Sequence, residues 1–181
     1  MKTFYIVRHC QASGQEAEAM LTPEGLKQSE LLANFLLPFN IDHIISSPFI
    51  RARQSIEPLA KRLRLDVHLD ARLVERQLGV LPHADWLKCL KDTFEDLDLT
   101  FPKGESSNNI IARASSVFTD ANSSDQSNIV IVTHGNFMSL LLRIFDPTFG
   151  FEQWSALTNP DVYKLECGAN SNMLNRVWKP G

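Results

Sequence analysis

Three short apolar runs, each halted by a polar motif, constrain most tightly what this chain can fold into. Thr3-Phe4-Tyr5-Ile6-Val7 stops at Arg8-His9, residues 41–46 stop at Ser47-Pro48, and Ile129-Val130-Ile131-Val132-Thr133 stops at His134-Gly135-Asn136. Runs that are apolar at every position, rather than at every second one, fit strands buried on both faces, as in a parallel sheet covered by helices. Helical signals lie between them. Thr22-Pro23-Glu24 supplies an N-cap, a proline at the first helical position and an early acid, and Leu26, Ala33, Leu36 and Leu37 recur at helical spacing as far as Pro38. Pro48 opens a second helix through Arg51 toward Leu63, with Pro58 expected to break or kink it, and residues 137–145 read as another. Val67-His68-Leu69 reads as a short strand, and residues 73–85, with Gly79 and Pro82, as loop. Helices are expected over 84–99 and 108–122. Residues 162–167 and 173–178 read as an antiparallel pair added to the largely parallel sheet.

A length of 181 residues suits one compact domain with a core of its own. The net charge of -3 gives no overall positive field to gather nucleic acid, and no basic stripe accompanies Trp86, Phe94 and Phe101. No stretch approaches the ~18 apolar residues of a membrane span, and the start of the chain meets Arg8 too soon for a signal peptide. Cys10, Cys89 and Cys167 are odd in number and scattered, so reduced thiols and a cytoplasmic location are expected, with no membrane or nucleic-acid partner. There is no HExxH, no clustered acidic ligand set and no zinc-type spacing, so neither a metal nor a cofactor is expected.

In open α/β sheets ligands bind at the carboxyl ends of the strands, where Arg8, His9, Arg51, His134, Gly135 and Asn136 all fall. Two arginines bring forked permanent charges, two imidazoles can face one another, and a helix start after His134 adds backbone donors. That set describes a phosphate pocket. A neutral histidine beside a phosphate held by cations can act as its nucleophile, and His9 fits that role. The leaving oxygen then needs a proton, for which Glu75 in the loop Leu73-Val74-Glu75-Arg76 is the best candidate. Arg53, two residues on from Arg51 along the helix, reads as solvated, and His43, His68 and His83 carry no motif, although His83 lies near the acid loop.

Val7-Arg8-His9, Ser47-Pro48-Phe49-Ile50-Arg51-Ala52, Leu73-Val74-Glu75-Arg76 and Val132-Thr133-His134-Gly135-Asn136 together resemble the histidine phosphatase superfamily, also called the phosphoglycerate mutase-like family. Leu21-Thr22-Pro23-Glu24-Gly25, Gly104-Glu105-Ser106 and Ile111-Ala112-Arg113-Ala114 extend the resemblance over nearly the whole chain. It implies a three-layer α/β/α sandwich with a mostly parallel central sheet. It also implies His9 as phosphorylated nucleophile, Arg8, Arg51 and His134 as phosphate-holding residues, Glu75 as proton donor, and backbone donors at Gly135 and Asn136. Two positions depart from the family pattern. Cys10 replaces a common glycine and sets a thiol beside the nucleophile, which raises a redox role. Ala12 and Gln15 stand where a serine or threonine and an asparagine are frequent, and the Gln15 amide is the candidate to reach the phosphate there.

The segment around 80–106 is expected to form a small lid. Between Asp85 and Leu99 it carries two lysines, Lys88 and Lys91, against five acids, which would repel a bisphosphate. A phosphatase acting on small phosphorylated metabolites is therefore favoured over a mutase, despite the mutase-like Glu75-Arg76 pair and the offsetting charges of Lys103 and Arg113. A phosphate- or phosphoprotein-binding module without turnover is the third alternative, motivated by Cys10, Ala12 and Gln15.

Overall fold

A computed structural model describes residues 2–81, 85–168 and 171–179. The expectations attached to Pro82, His83 and the helix start at Ala84 lie outside the described residues. Six strands form one sheet: β1 (Lys2–Arg8), β2 (His43–Ser46), β3 (Val67–Leu69), β4 (Asn128–Thr133), β5 (Asp161–Cys167) and β6 (Asn172–Arg176). Their order is β3-β2-β4-β1-β5-β6; β1 to β4 are parallel, and β5 and β6 join as the expected antiparallel pair.

Helices α1 (Pro23–Leu36), α2 (Ile50–Leu63), α3 (Trp86–Glu95), α4 (Ser107–Ser123), α5 (Gly135–Arg143) and α6 (Phe151–Ser155) surround the sheet. Side chains alternate across a strand, so the continuous apolar runs divide between two cores. Phe4, Ile6, Ile129 and Ile131 pack with Ile110 and Val117 of α4 and Leu140 and Leu141 of α5. Tyr5, Val7, Val130 and Val132 pack on the other face with Leu32 and Leu36 of α1 and Ile56 and Leu59 of α2. Two cores on one sheet make the three layers, which is the expected α/β/α sandwich.

The local signals acted with some shifts. Thr22 Oγ1 accepts the Gly25 N–H at 3.0 Å, the cap expected at the start of α1. Pro38 does not simply stop that helix, because residues Leu37–Phe39 continue as a 3-10 turn to Asn40 at φ 50°. Pro58 sits inside α2 without ending it, and the helix runs to Leu63. Arg64, at φ 56°, closes it with an N–H to the carbonyls of Ala60 and Lys61. The five-residue α6 has too little periodicity to be read from sequence. In the acid loop, Gly79 at φ 88° lies so close to Gly104 that a Cβ on either would collide with backbone of the other segment. The two segments are tied by Val80 N–H to Pro102 O (2.9 Å) and Glu105 N–H to Gln77 O (2.8 Å).

Register places the site. Arg8 pairs with Thr133, and Ser46 with Val132, so His9, His134 and Ser47 leave their strands at one level of the sheet's carboxyl edge.

Candidate active site

His9 is 6% exposed and forms the floor of this edge. Its Nδ1 lies 2.6 Å from the Cys10 carbonyl, which can only accept, so Nδ1 carries the proton and Nε2 is the unprotonated nitrogen. Arg51 Nε donates to that Nε2 at 3.2 Å. Burial pushes the His9 pKa down to about 3, with Arg51 and Arg8 adding to the fall, so the ring is neutral at neutral pH. The backbone around it is held by Asn159 Nδ2 donating to His9 O (2.7 Å) and by Ser55 Oγ accepting from Cys10 N (2.8 Å).

The His134 ring lies edge-on to His9 with centroids 5.1 Å apart. Ser47 Oγ lies 2.8 Å from its Nε2, and burial holds the ring well below the usual imidazole range. Arg51 is fully buried at the start of α2; its Nη1 donates to Glu16 O at 2.7 Å. Arg8, at the end of β1, is fixed by Nη1 donating to Leu157 O at 3.0 Å and Thr158 O at 3.4 Å. A Cβ at position 135 would come within 3.1 Å of the Arg8 guanidinium, so the glycine that opens α5 makes room for that charge.

Glu75 closes the set. Its Oε1 accepts N–H groups from Arg76 (2.8 Å) and Phe137 (2.9 Å), and its Oε2 accepts from Asn136 (3.1 Å). This corrects the sequence expectation for Asn136: the N–H at this helix start holds the acid rather than standing open to phosphate. The acceptor oxygens of a carboxyl group suit the N–H groups at the positive end of α5. Glu75 forms no side-chain pair with its arginine neighbours. Arg72 instead forks onto Asp70 and Asp120, and buried Arg76 reaches Glu105 O (2.9 Å), Thr93 Oγ1 (3.0 Å) and Ser107 Oγ (3.0 Å). Arg76 thereby rivets α3 and α4 to the acid loop. Arg113, expected to offset lid acidity, braces the same loop through Val74 O (2.8 Å) and pairs with Glu105 (3.1 Å).

Among the described residues, four buried side-chain polar atoms lack a protein partner: Arg8 Nε, Arg51 Nη2, His134 Nδ1 and Asn136 Oδ1. All four belong to this one site. Buried polar groups left unpaired are costly, and their convergence marks a place built for a polar ligand. Two guanidinium donors and an imidazole nitrogen suit an oxyanion. Above them opens a cavity of about 650 Å³, with Arg8, Glu75, Gly135 and Asn136 in its lining and exposed Gln15 at its rim. Among the described residues, no group of three or more His, Cys, Asp or Glu is placed to hold a metal ion.

Cys10 takes part through its backbone alone. Its side chain is fully buried with Leu21, Leu32 and Ile56 in the core behind the floor, and burial pushes the thiol up to about 12. A redox role beside the nucleophile is therefore not supported, since a reactive thiol must ionise. Sequence reasoning gave no part to Ser47, Ser55 or Asn159. Ser47 lay inside a recognised motif, whereas Ser55 and Asn159 carried no signal beyond their polarity.

These features define an α/β enzyme with a buried oxyanion site at the carboxyl edge of its sheet. Residues 4–179 match the histidine phosphatase superfamily (branch 1). The putative phosphoserine phosphatase 2 of Hydrogenobacter thermophilus (strain DSM 6534 / IAM 12695 / TK-6) is 30% identical over 157 residues, covering 78% of this chain and 77% of that protein. The probable phosphoglycerate mutase GpmB of Proteus mirabilis (strain HI4320) is 29% identical over 160 residues, covering 78% and 74%. Among solved structures, a mycobacterial glucosyl-3-phosphoglycerate phosphatase in complex with inorganic phosphate is 25% identical, covers 98% of this chain and 97% of that one, and superposes with a TM-score of 0.77. The chain belongs to the histidine phosphatase superfamily. The relatives it matches there are named both as phosphatases and as phosphoglycerate mutases. Among the described residues, no helix is long and apolar enough to cross a membrane.

Proposed function

We propose that the protein hydrolyses phosphomonoesters of small metabolites in two steps through a phosphohistidine on His9, without a metal ion. One observation carries this reading: the Cys10 carbonyl accepts the hydrogen bond of the His9 Nδ1–H, which leaves the unprotonated Nε2 of a neutral ring among Arg8, Arg51 and His134.

In the first step the His9 Nε2 lone pair forms a bond to phosphorus while the bond from phosphorus to the ester oxygen breaks. The Glu75 carboxyl gives its proton to that oxygen, which leaves as an alcohol. Arg8 Nε, Arg51 Nη2 and His134 Nδ1, the buried groups without protein partners, hold the equatorial oxygens as charge redistributes. In the second step the Glu75 carboxylate takes a proton from water, and the resulting hydroxide attacks phosphorus. The bond from phosphorus to Nε2 breaks, which releases phosphate and restores both residues. Helix α5 keeps Glu75 in place through both steps, with the N–H groups of Asn136 and Phe137 on its oxygens. Gln15, at the rim, adds an amide N–H to the bound phosphoester, and the segment around 80–106 serves as the lid. We place the enzyme in the cytoplasm, in keeping with its free cysteines.

The test is to mix enzyme with a 32P-labelled phosphoester, quench in base and digest. An acid-labile, base-stable label on the His9 peptide, absent from His9→Ala, is expected, together with release of inorganic phosphate that persists in EDTA. Transfer of the label to a second hydroxyl with no free phosphate would indicate a mutase. Loss of turnover in chelator, or retention in His9→Ala, would overturn the mechanism.

A further inference from the structure

Beyond the phosphate, the cavity has a chemical character of its own. Besides Ala17, six larger apolar side chains enter its lining: Phe49, Val74, Leu78, Trp86, Leu90 and Trp154. The two tryptophans come from separate elements, Trp86 from the first residue of α3 and Trp154 from α6, where it packs on Phe151 at 5.4 Å between ring centroids. Trp86 is 48% exposed although Leu90 and Phe94 of the same helix are buried in the core. Such an indole at the edge of a cavity offers a large flat face at little entropic cost.

The charges are equally one-sided. Among the described lining residues the only cations are Arg8 and Arg76. Arg8 stands against Gly135 at the phosphate end, and the Arg76 fork is taken by Glu105 O, Thr93 and Ser107. No described cation is left to meet a second anionic group of a substrate. Glu16, by contrast, enters the lining, with its carbonyl oxygen accepting from Arg51 Nη1 at 2.7 Å, and the neutral amides of Gln15 and Gln77 complete the rim. A carboxylate on the leaving group would be drawn out of water to meet a like charge and no partner.

We infer that the leaving group this site accepts is uncharged and presents an apolar ring face, and that phosphoesters carrying a carboxylate are poor substrates. The inference rests on the reading of His9 and Glu75 as a phosphatase centre. It separates this chain from relatives whose names point to phosphoserine or phosphoglycerate.

Three alkyl phosphates test it: benzyl phosphate, glycerol 3-phosphate and 3-phosphoglycerate, the last two differing in a hydroxymethyl against a carboxylate. We expect kcat/KM to fall at least about tenfold at each step in that order, the size of one well-filled pocket or one misplaced charge. Trp86→Ala, at an exposed helix start, should cut the ratio of benzyl to glycerol phosphate about fivefold. Glu16→Gln should raise the ratio of 3-phosphoglycerate to glycerol 3-phosphate by about threefold to tenfold. Phosphate release with 3-phosphoglycerate equal to or above glycerol 3-phosphate would overturn the inference and leave the phosphatase reading intact, as would a benzyl preference that Trp86→Ala does not move. No phosphate release from any of the three would remove the phosphatase reading, and this inference with it.

Discussion

Next to the Arg8, Glu75 and Gly135 end of the cavity, His9 and His134 follow the ends of parallel strands and Arg51 stands at the start of α2, a floor of three buried groups each fixed by at least one polar contact at 3.2 Å or less. At the outer wall, Trp86 and Trp154 stand on α3 and on the five-residue α6, and neither is fully buried. The floor is polar and locked to the sheet, so its geometry follows from strand register. The wall is apolar and carried by connecting segments, so it can change without disturbing the register. Chemistry and selectivity thus live on separable parts of the molecule.

The largest expected effect breaks the floor. Arg51→Met removes a buried charge whose Nη2 has no protein partner, while an apolar chain of similar length keeps the space filled. We expect kcat/KM to fall by about 10²- to 10³-fold, the usual loss for one transition-state donor. The thermal midpoint should stay within about 3 °C of the parent or rise, because replacing a buried charge by apolar volume is often neutral or stabilising. A calorimetric scan beside the kinetics checks both; a large drop in midpoint would show that the floor is structural rather than held in readiness for ligand.

Much of this floor was legible in the sequence because a polar group at the end of a continuous apolar run has one place to go, the carboxyl edge of a buried strand. Arg8, His9 and His134 were found that way, and their partnership followed from the pairing of Arg8 with Thr133. What stayed hidden was the backbone. The carbonyls of Leu157 and Thr158 that hold Arg8, and the N–H groups of Asn136 and Phe137 that hold Glu75, carry no residue-type signature. Cys10 misled for a related reason. Strand alternation would set it on the face of Arg8, but the chain leaves the sheet after Arg8 and turns the thiol into the core of Tyr5 and Val7.

A second substitution weakens the joint between the two regions. Arg76→Ala strands Glu105 O and the hydroxyls of Thr93 and Ser107, three groups on two helices and the segment that leads into α4. Stability should fall by about 2–4 kcal/mol, read as a shift of the urea midpoint. The folded enzyme in the cold should lose less than the about 10²-fold that a misplacement of 1 Å can cost, since Glu75 keeps its three N–H donors. A larger loss would mean that wall and floor are coupled more tightly than their contacts suggest.

Acid reaches the floor more gently. His9 folded has its pKa pushed down to about 3, against an ordinary imidazole value near 6.5 when unfolded. Above pH 6.5 the ring is neutral in both states and contributes no slope. Between those values the unfolded chain binds the extra proton, so stability falls as pH falls through that window. From pH 7 to 5.5 this amounts to about 1 kcal/mol for His9, and His134 adds in the same direction. His9→Asn should therefore flatten the pH dependence of the urea midpoint by about that amount; an unchanged slope would mean that His9 protonates in the folded state.

The smallest effect tests what lies just behind the floor. Cys10 is adjacent to His9 in sequence, yet only its carbonyl and N–H face the site, through His9 Nδ1 and Ser55 Oγ. Cys10→Ala keeps both backbone groups and removes one buried sulfur, so it should lower stability by about 1 kcal/mol while kcat/KM stays within about twofold. The native enzyme should likewise keep its activity in iodoacetamide, because a fully buried thiol with its pKa pushed up to about 12 offers neither access nor thiolate. Cys89 and Cys167, both partly exposed, should be labelled first, and Cys10 only once urea has opened the core. Rapid loss of activity with modification at Cys10 in the folded enzyme would place the thiol on the cavity side of the sheet edge and undo the separation between the floor and the core that supports it.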